Sequence, residues 1–178
     1  MFGTLFIATS WGAVMWYFIS FYRQVYGVSA ETSGVYWAAN TVVFVFGSLM
    51  CGKIVPKIGY KRTTTLTSLI IAVCVFVFYT VNSLSVAILS RLVISFVSAL
   101  WISGANSLAL GQIPIYRGAM MSLNSGVFQL GMALGSAIGG FVINLGGYNT
   151  MGYIFSVSGL FAFLVVSSFA VNPIIDKN

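Results

Sequence analysis

Histidine is absent from this sequence, and its acidic residues number two, Glu31 and Asp176. Without histidine nothing completes a zinc site, because Cys51 and Cys74 fall in or at the edge of separate apolar runs and on no ligand spacing. The same shortage leaves no placed nucleophile and base, so a membrane hydrolase or metalloenzyme is excluded, and neither catalysis nor a cofactor is expected. Charge of any kind is scarce: 6% of residues are charged against 59% hydrophobic, and the mean hydropathy is +1.00. A soluble domain of this size needs a charged surface, so the chain reads as a membrane protein with the lipid bilayer as its solvent. The net charge of +6 would suggest nucleic acid in a soluble protein. Here it reads as a topology signal, and no nucleic-acid partner is expected.

What remains is long apolar runs. Six segments stand out between turn or charge signals: Phe2–Tyr22, Ser33–Val55, Thr63–Val81, Leu84–Leu110, Ala119–Leu145 and Met151–Val171. Each is near or above the ~20 residues that cross a hydrocarbon core as helix. Runs this long argue against barrel strands, the other way to satisfy backbone groups in lipid. The first run lacks the basic start and cleavage pattern of a signal peptide and counts as structure. The expected fold is therefore all-α and integral to the membrane, with six transmembrane helices over residues 1–178.

Lysine and arginine set the orientation. Placing the stretch between the second and third segments inside gathers Lys53, Lys57, Lys61, Arg62, Arg117 and Lys177 on that side, against Arg23 alone on the other. A multi-pass protein of the cell membrane with both termini cytoplasmic is expected.

Three features repeat along the chain. The first and fourth segments carry polar stripes: Thr9, Trp16 and Ser20 on one, Arg91, Ser95, Ser98 and Asn106 on the other. The second and fifth carry small-residue grooves at Gly47, Ser48, Cys51 and Gly52, and at Gly131, Gly135 and Gly139. The third and sixth are apolar all round in their middles and are expected to face lipid. A period of three suggests two three-helix repeats, the construction of many secondary transporters.

Between the second and third segments stands CGKIVPKIGYKR, residues 51–62. Gly52, Pro56, Lys57, Gly59, Lys61 and Arg62 resemble the loop signature G-x-x-x-D-[RK]-x-G-[RK]-[RK] of the major facilitator superfamily, with Pro56 in place of the aspartate. LGMALGSAIGG on the fifth segment is similar to that superfamily's antiporter motif, with Gly131, Gly135, Gly139 and Gly140 present and Ser136 replacing its proline. Arg91 with Ser95 and Ala99, and the Pro114 and Arg117-Gly118 loop, are looser echoes in the right order. The motif pattern is most similar to the drug and sugar efflux antiporter branch. The resemblance implies one six-helix half of a transporter that needs a second half, in the same polypeptide or in a homodimer, and moves a small solute by alternating access. It also implies that the first glycine of the loop motif lets helices approach closely, and that the charged loop grips neighbouring helix ends. The eroded loop motif and the ending NPIIDKN point to a C-terminal half, although the motifs of the fourth and fifth segments suit an N-terminal half equally.

Arg91 is the only charge well inside a span, Lys53 standing two residues from the end of the second, and is a functional-site candidate by default, with snorkelling to the outer interface as its alternative. With Arg91, the expected substrate path comprises Ser95, Ser98, Asn106, Trp16, Asn40 and Gln129. The asparagines and Gln129 serve equally as contacts between helices, and Trp11, Trp16, Trp37 and Trp101 as packing or interfacial residues. No acid lies in any of the six segments. Proton coupling would therefore draw its carboxylate from the second half, and a facilitator, or coupling to something else, stands beside it. A non-transporting membrane scaffold that keeps the half-fold is the alternative function.

Overall fold

The computed structural model describes residues 2–112 and 116–169 and is helical almost throughout. It contains α1 (Phe2–Tyr26), α2 (Ala30–Ile58), α3 (Tyr60–Thr80), α4 (Leu84–Gln112) and α5 (Arg117–Phe169). All five are long and apolar enough to cross a membrane. The fold is all-α, but with five helical elements where six were expected, because the fifth and sixth segments join without a loop.

The join is one residue. Gly147 takes φ 72° and ψ −169°, a non-helical conformation inside α5. At 1.5 Å per residue the 53 residues of α5 would stretch ~80 Å if straight, far more than a ~30 Å hydrocarbon core. Contacts with α1 show that α5 instead doubles back. Along the 117–146 arm, Gly131 meets Ala8, Gly135 meets Thr9 and Gly139 meets Tyr17, so this arm runs parallel to α1. Past Gly147 the order reverses. Tyr148 packs on Phe21 with ring centroids 5.1 Å apart, the Ser10 hydroxyl donates to the Phe155 carbonyl at 2.7 Å, and Gly3 lies against Val166.

Helix ends follow local chemistry rather than hydropathy. α1 runs four residues beyond its apolar segment and stops where Gly27 adopts φ 66°, with the Val28 N–H donating to the Tyr22 carbonyl at 3.2 Å. Ser29 caps α2 by accepting from the Thr32 N–H at 3.2 Å, and Glu31 in the first turn complements the helix dipole. The basic stretch, read as a break, is helical except at Gly59. Pro56 lies in the last turn of α2 and Gly59 ends it at φ 94° and ψ 142°, a conformation that favours glycine. The connection between α4 and α5, with Pro114, falls partly outside the described residues.

One core unites α1, α3, α4 and both arms of α5. Phe18, Phe21, Tyr22, Phe78, Tyr79 and Phe155 are fully buried. Phe21 sits within 5.1 Å, centroid to centroid, of Phe78, Tyr79 and Tyr148, which closes the end of the bundle near Arg23. The outer surface is apolar, with Leu49, Phe141 and Leu145 exposed, as a lipid-facing surface requires. α3 does not simply face lipid. It buries Ile71, Val75, Phe78 and Tyr79 and exposes Leu66 and Val73, because an apolar side chain suits the core and the bilayer alike.

Candidate functional site

Arg91 lies seven residues into α4, about 10 Å along the helix from Leu84. Its side chain is 3% exposed. Nη1 donates to the Ser95 hydroxyl one turn on at 2.9 Å, and Nη2 points to the Met15 sulfur of α1 at 3.6 Å. The guanidinium carbon stands 4.8 Å from the centre of the Phe18 ring, and that ring stacks on Trp37 at 5.2 Å. Ser95 passes the contact on, donating to Asn40 Oδ1 of α2 at 2.8 Å, while Asn40 Nδ2 donates to the Tyr36 carbonyl at 2.7 Å. Three helices are thus joined by one polar chain.

A desolvated cation–π contact contributes ~2 kcal/mol, well short of the several kcal/mol that burial costs an ion. A carboxylate is the usual remedy, yet none stands beside Arg91 among the described residues. Glu31, the acid they contain, lies nine residues before Asn40 on α2, about 13 Å along the axis, in an exposed first turn. The Arg91 Nε is buried without a partner among the described residues. Arg91, Ser95 and Asn40 instead border a cavity of about 200 Å³ whose apolar wall is Trp11, Met15, Trp37 and Phe44.

The other expected path residues lie elsewhere. Ser98 borders a narrow gap between Trp11, Trp101 and Phe128, and its buried hydroxyl has no partner among the described residues. Asn106 and Gln129 line a separate cavity of about 170 Å³. There Thr4 Oγ1 donates to Asn124 Oδ1 at 3.1 Å and Asn124 Nδ2 donates to Asn106 Oδ1 at 3.1 Å, tying α1, the 117–146 arm and α4 together. Arg91 and Asn106 share a helix face, but fifteen residues separate them by about 22 Å of axis. Trp16 is 63% exposed on the outside of the bundle and does not border the Arg91 cavity. Met15, Thr41 and Phe44 do border it, and sequence reasoning missed them. No pattern marks a methionine as an arginine's neighbour.

In the loop motif, Lys53, Lys57 and Arg62 are exposed and Lys61 is half-buried. A methyl group at Gly52 would meet nothing within 4 Å; the close approach on α2 comes five residues earlier, where one at Gly47 would lie 2.9 Å from the Phe96 carbonyl. Gly131, Gly135, Gly139 and Gly140 all face α1, where Tyr17 donates its hydroxyl to the Ser136 carbonyl at 2.8 Å.

No curated protein matches the chain. The sequence model of the Major Facilitator Superfamily, a family of membrane transporters, does match, over residues 1–176, and with its apolar helices and buried intramembrane arginine the chain belongs to that superfamily.

Proposed function

We propose that the chain is one half of a secondary transporter. It crosses the membrane six times, counting α5 twice across Gly147, and moves a small solute by alternating access against a second half. The observation that carries this reading is the buried Arg91, linked to Ser95 and Asn40 at the wall of a cavity and lacking a carboxylate partner among the described residues. An intramembrane charge is costly and marks a solute or ion path when it faces such a space.

The packing supports a repeat of three spans. α1 runs parallel to the 117–146 arm through glycine contacts, and α2 runs parallel to α4 in the same manner, Gly47 against Ala99 and Cys51 donating to the Ala99 carbonyl at 3.3 Å. Exchanging α1 with α4 and α2 with the 117–146 arm maps one pair onto the other. The end that holds Lys53, Lys57, Lys61, Arg62 and Arg117 is read as cytoplasmic, opposite Arg23. Pro56 occupies the aspartate position of the loop motif, so the charged loop holds neighbouring helix ends weakly. The efflux direction rests on motif resemblance alone.

Access is the test. A Thr41→Cys variant, with Cys51 and Cys74 replaced by serine, places a single thiol on the cavity. Alternating access predicts that a membrane-impermeant thiol reagent reaches it from either face of the membrane. Reaction from one face only, under every condition, contradicts the proposal and fits a non-transporting module.

A further inference from the structure

We infer that the Arg91 cavity takes an organic anion, a molecule with one negative group for the guanidinium and an apolar ring for the wall opposite. This rests on the transport reading above and specifies the solute class of the same site.

Arginine stays protonated in proteins, so the cavity carries a fixed positive charge. Its guanidinium has five N–H donors in a planar fork. Among the described residues, Ser95 accepts one and the Met15 sulfur, a weak acceptor at 3.6 Å, takes a second. Three donors remain; Nε has no partner among the described residues but is sealed from solvent, so a solute would meet the guanidinium through its Nη groups. A planar or tetrahedral oxyanion matches that fork and supplies the missing counter-charge. Asn40 and Ser95 beside it add dipoles but no charge, since the Ser95 hydroxyl already donates to Asn40.

The rest of the cavity selects for the other end of the ligand. Trp11, Trp37 and Phe44 present aromatic surface. A dry apolar cavity of ~150 Å³ accepts a benzene, so the volume of about 200 Å³ has room for a single ring. Aromatic walls alone would suit a cation as well. The fixed charge of Arg91 decides against one, because a cation there would meet a like charge at close range.

The test measures binding apart from flux. The full chain, purified into nanodiscs of neutral phosphatidylcholine, is titrated with benzenesulfonate, benzenesulfonamide and phenyltrimethylammonium, which share a ring and differ in charge. Quenching of tryptophan fluorescence, to which Trp11 and Trp37 contribute at the cavity, reports binding. Benzenesulfonate is expected to bind saturably and at least tenfold more tightly than the neutral sulfonamide, with no binding of the cation. Arg91→Gln should abolish that preference. Ser95→Asp, which supplies an internal carboxylate, should weaken the sulfonate at least tenfold and spare the sulfonamide.

Equal affinity for sulfonate and sulfonamide in the unmodified protein overturns the inference, and so does the absence of sulfonate binding. Either result means that Arg91 does not select an anionic solute at this cavity. That comparison needs no variant to fold. Where folded Arg91→Gln keeps the preference, the site is elsewhere and the inference fails. Anion-selective binding without flux leaves this site standing and defeats the transport reading. Flux without anion preference does the reverse.

Discussion

Gly135→Ala should destabilise the protein, and the structure gives the size of the effect. A methyl group at residue 135 would collide with the Thr9 carbonyl oxygen and lie 2.9 Å from its carbon and 3.0 Å from the Ala13 nitrogen. All three are backbone atoms, so α1 itself must move by about half an ångström or more to restore ordinary contact. It is held from the other side, where Ser10 donates to the Phe155 carbonyl at 2.7 Å and Ser158 to the Phe6 carbonyl at 2.9 Å. Overpacking of this kind costs ~1–3 kcal/mol, and replacing a helical glycine by alanine returns up to ~1 kcal/mol. A net loss of about 1–2 kcal/mol corresponds to a fall in Tm of roughly 2–8 °C for a chain of this length. Gly52→Ala makes the control, because nothing lies within 4 Å of the added methyl. It should leave Tm unchanged or raise it by a few degrees. Thermal unfolding in detergent, followed with a dye that reacts with Cys51 and Cys74 as they become exposed, measures both variants. A Gly135→Ala protein as stable as the unmodified one, or a Gly52→Ala protein that loses as much, refutes the packing assignment.

Three other substitutions probe separate parts of the molecule. Gly147→Ala forces a side chain into a backbone region essentially reserved for glycine and should cost ~1–3 kcal/mol in the same unfolding assay. Trp101→Phe removes the buried bond from Trp101 Nε1 to the Ser68 hydroxyl at 3.0 Å and should cost about 1 kcal/mol; an unchanged Tm would show that this bond adds nothing net. Pro56→Asp restores the acid of the loop motif and should shift the population toward the outward-facing state, measured as spin-label distances between the two halves. Unchanged distances would count against a weakened loop grip.

Much of the fold is legible in the sequence because lipid demands it. Long apolar runs must be helices in a bilayer, so the all-α class and the rough place of each run can be read from the order of residues, while the number of separate elements, five instead of six, cannot. Helix ends were harder to read, since hydropathy marks where the membrane stops and not where the helix does. Arg23 and Gln24 continue α1, and Lys57 sits in the last turn of α2 despite its charge. The α5 reversal at Gly147 needs one positive φ and no loop, so a run of five residues, 146–150, looked like a connection and is mostly helix. The apolar middle of α3 carries no mark that separates its buried face from its exposed one.

The site divides in the same way. Arg91, Ser95 and Asn40 come together, the first two at i and i+4 on one helix and Asn40 from another. A helical wheel records angle and discards depth, which is why Asn106 shared the Arg91 stripe yet belongs to another cavity. Trp16 shared the polar face of α1, but Trp11 and Met15 line the Arg91 cavity. Partners across helices, including Met15 for Arg91 and Asn124 for Asn106, depend on packing that one helix's sequence does not encode.

Solute flux tests the transport claim most directly. Proteoliposomes carrying the purified protein, as a homodimer or together with its second half, are loaded on one side with labelled benzenesulfonate, which stays charged and does not cross lipid unaided. Saturable flux above protein-free vesicles, reduced at least tenfold by Arg91→Gln, is the predicted result. No saturable flux from either preparation, or flux that Arg91→Gln leaves unchanged, contradicts a solute path through the Arg91 cavity.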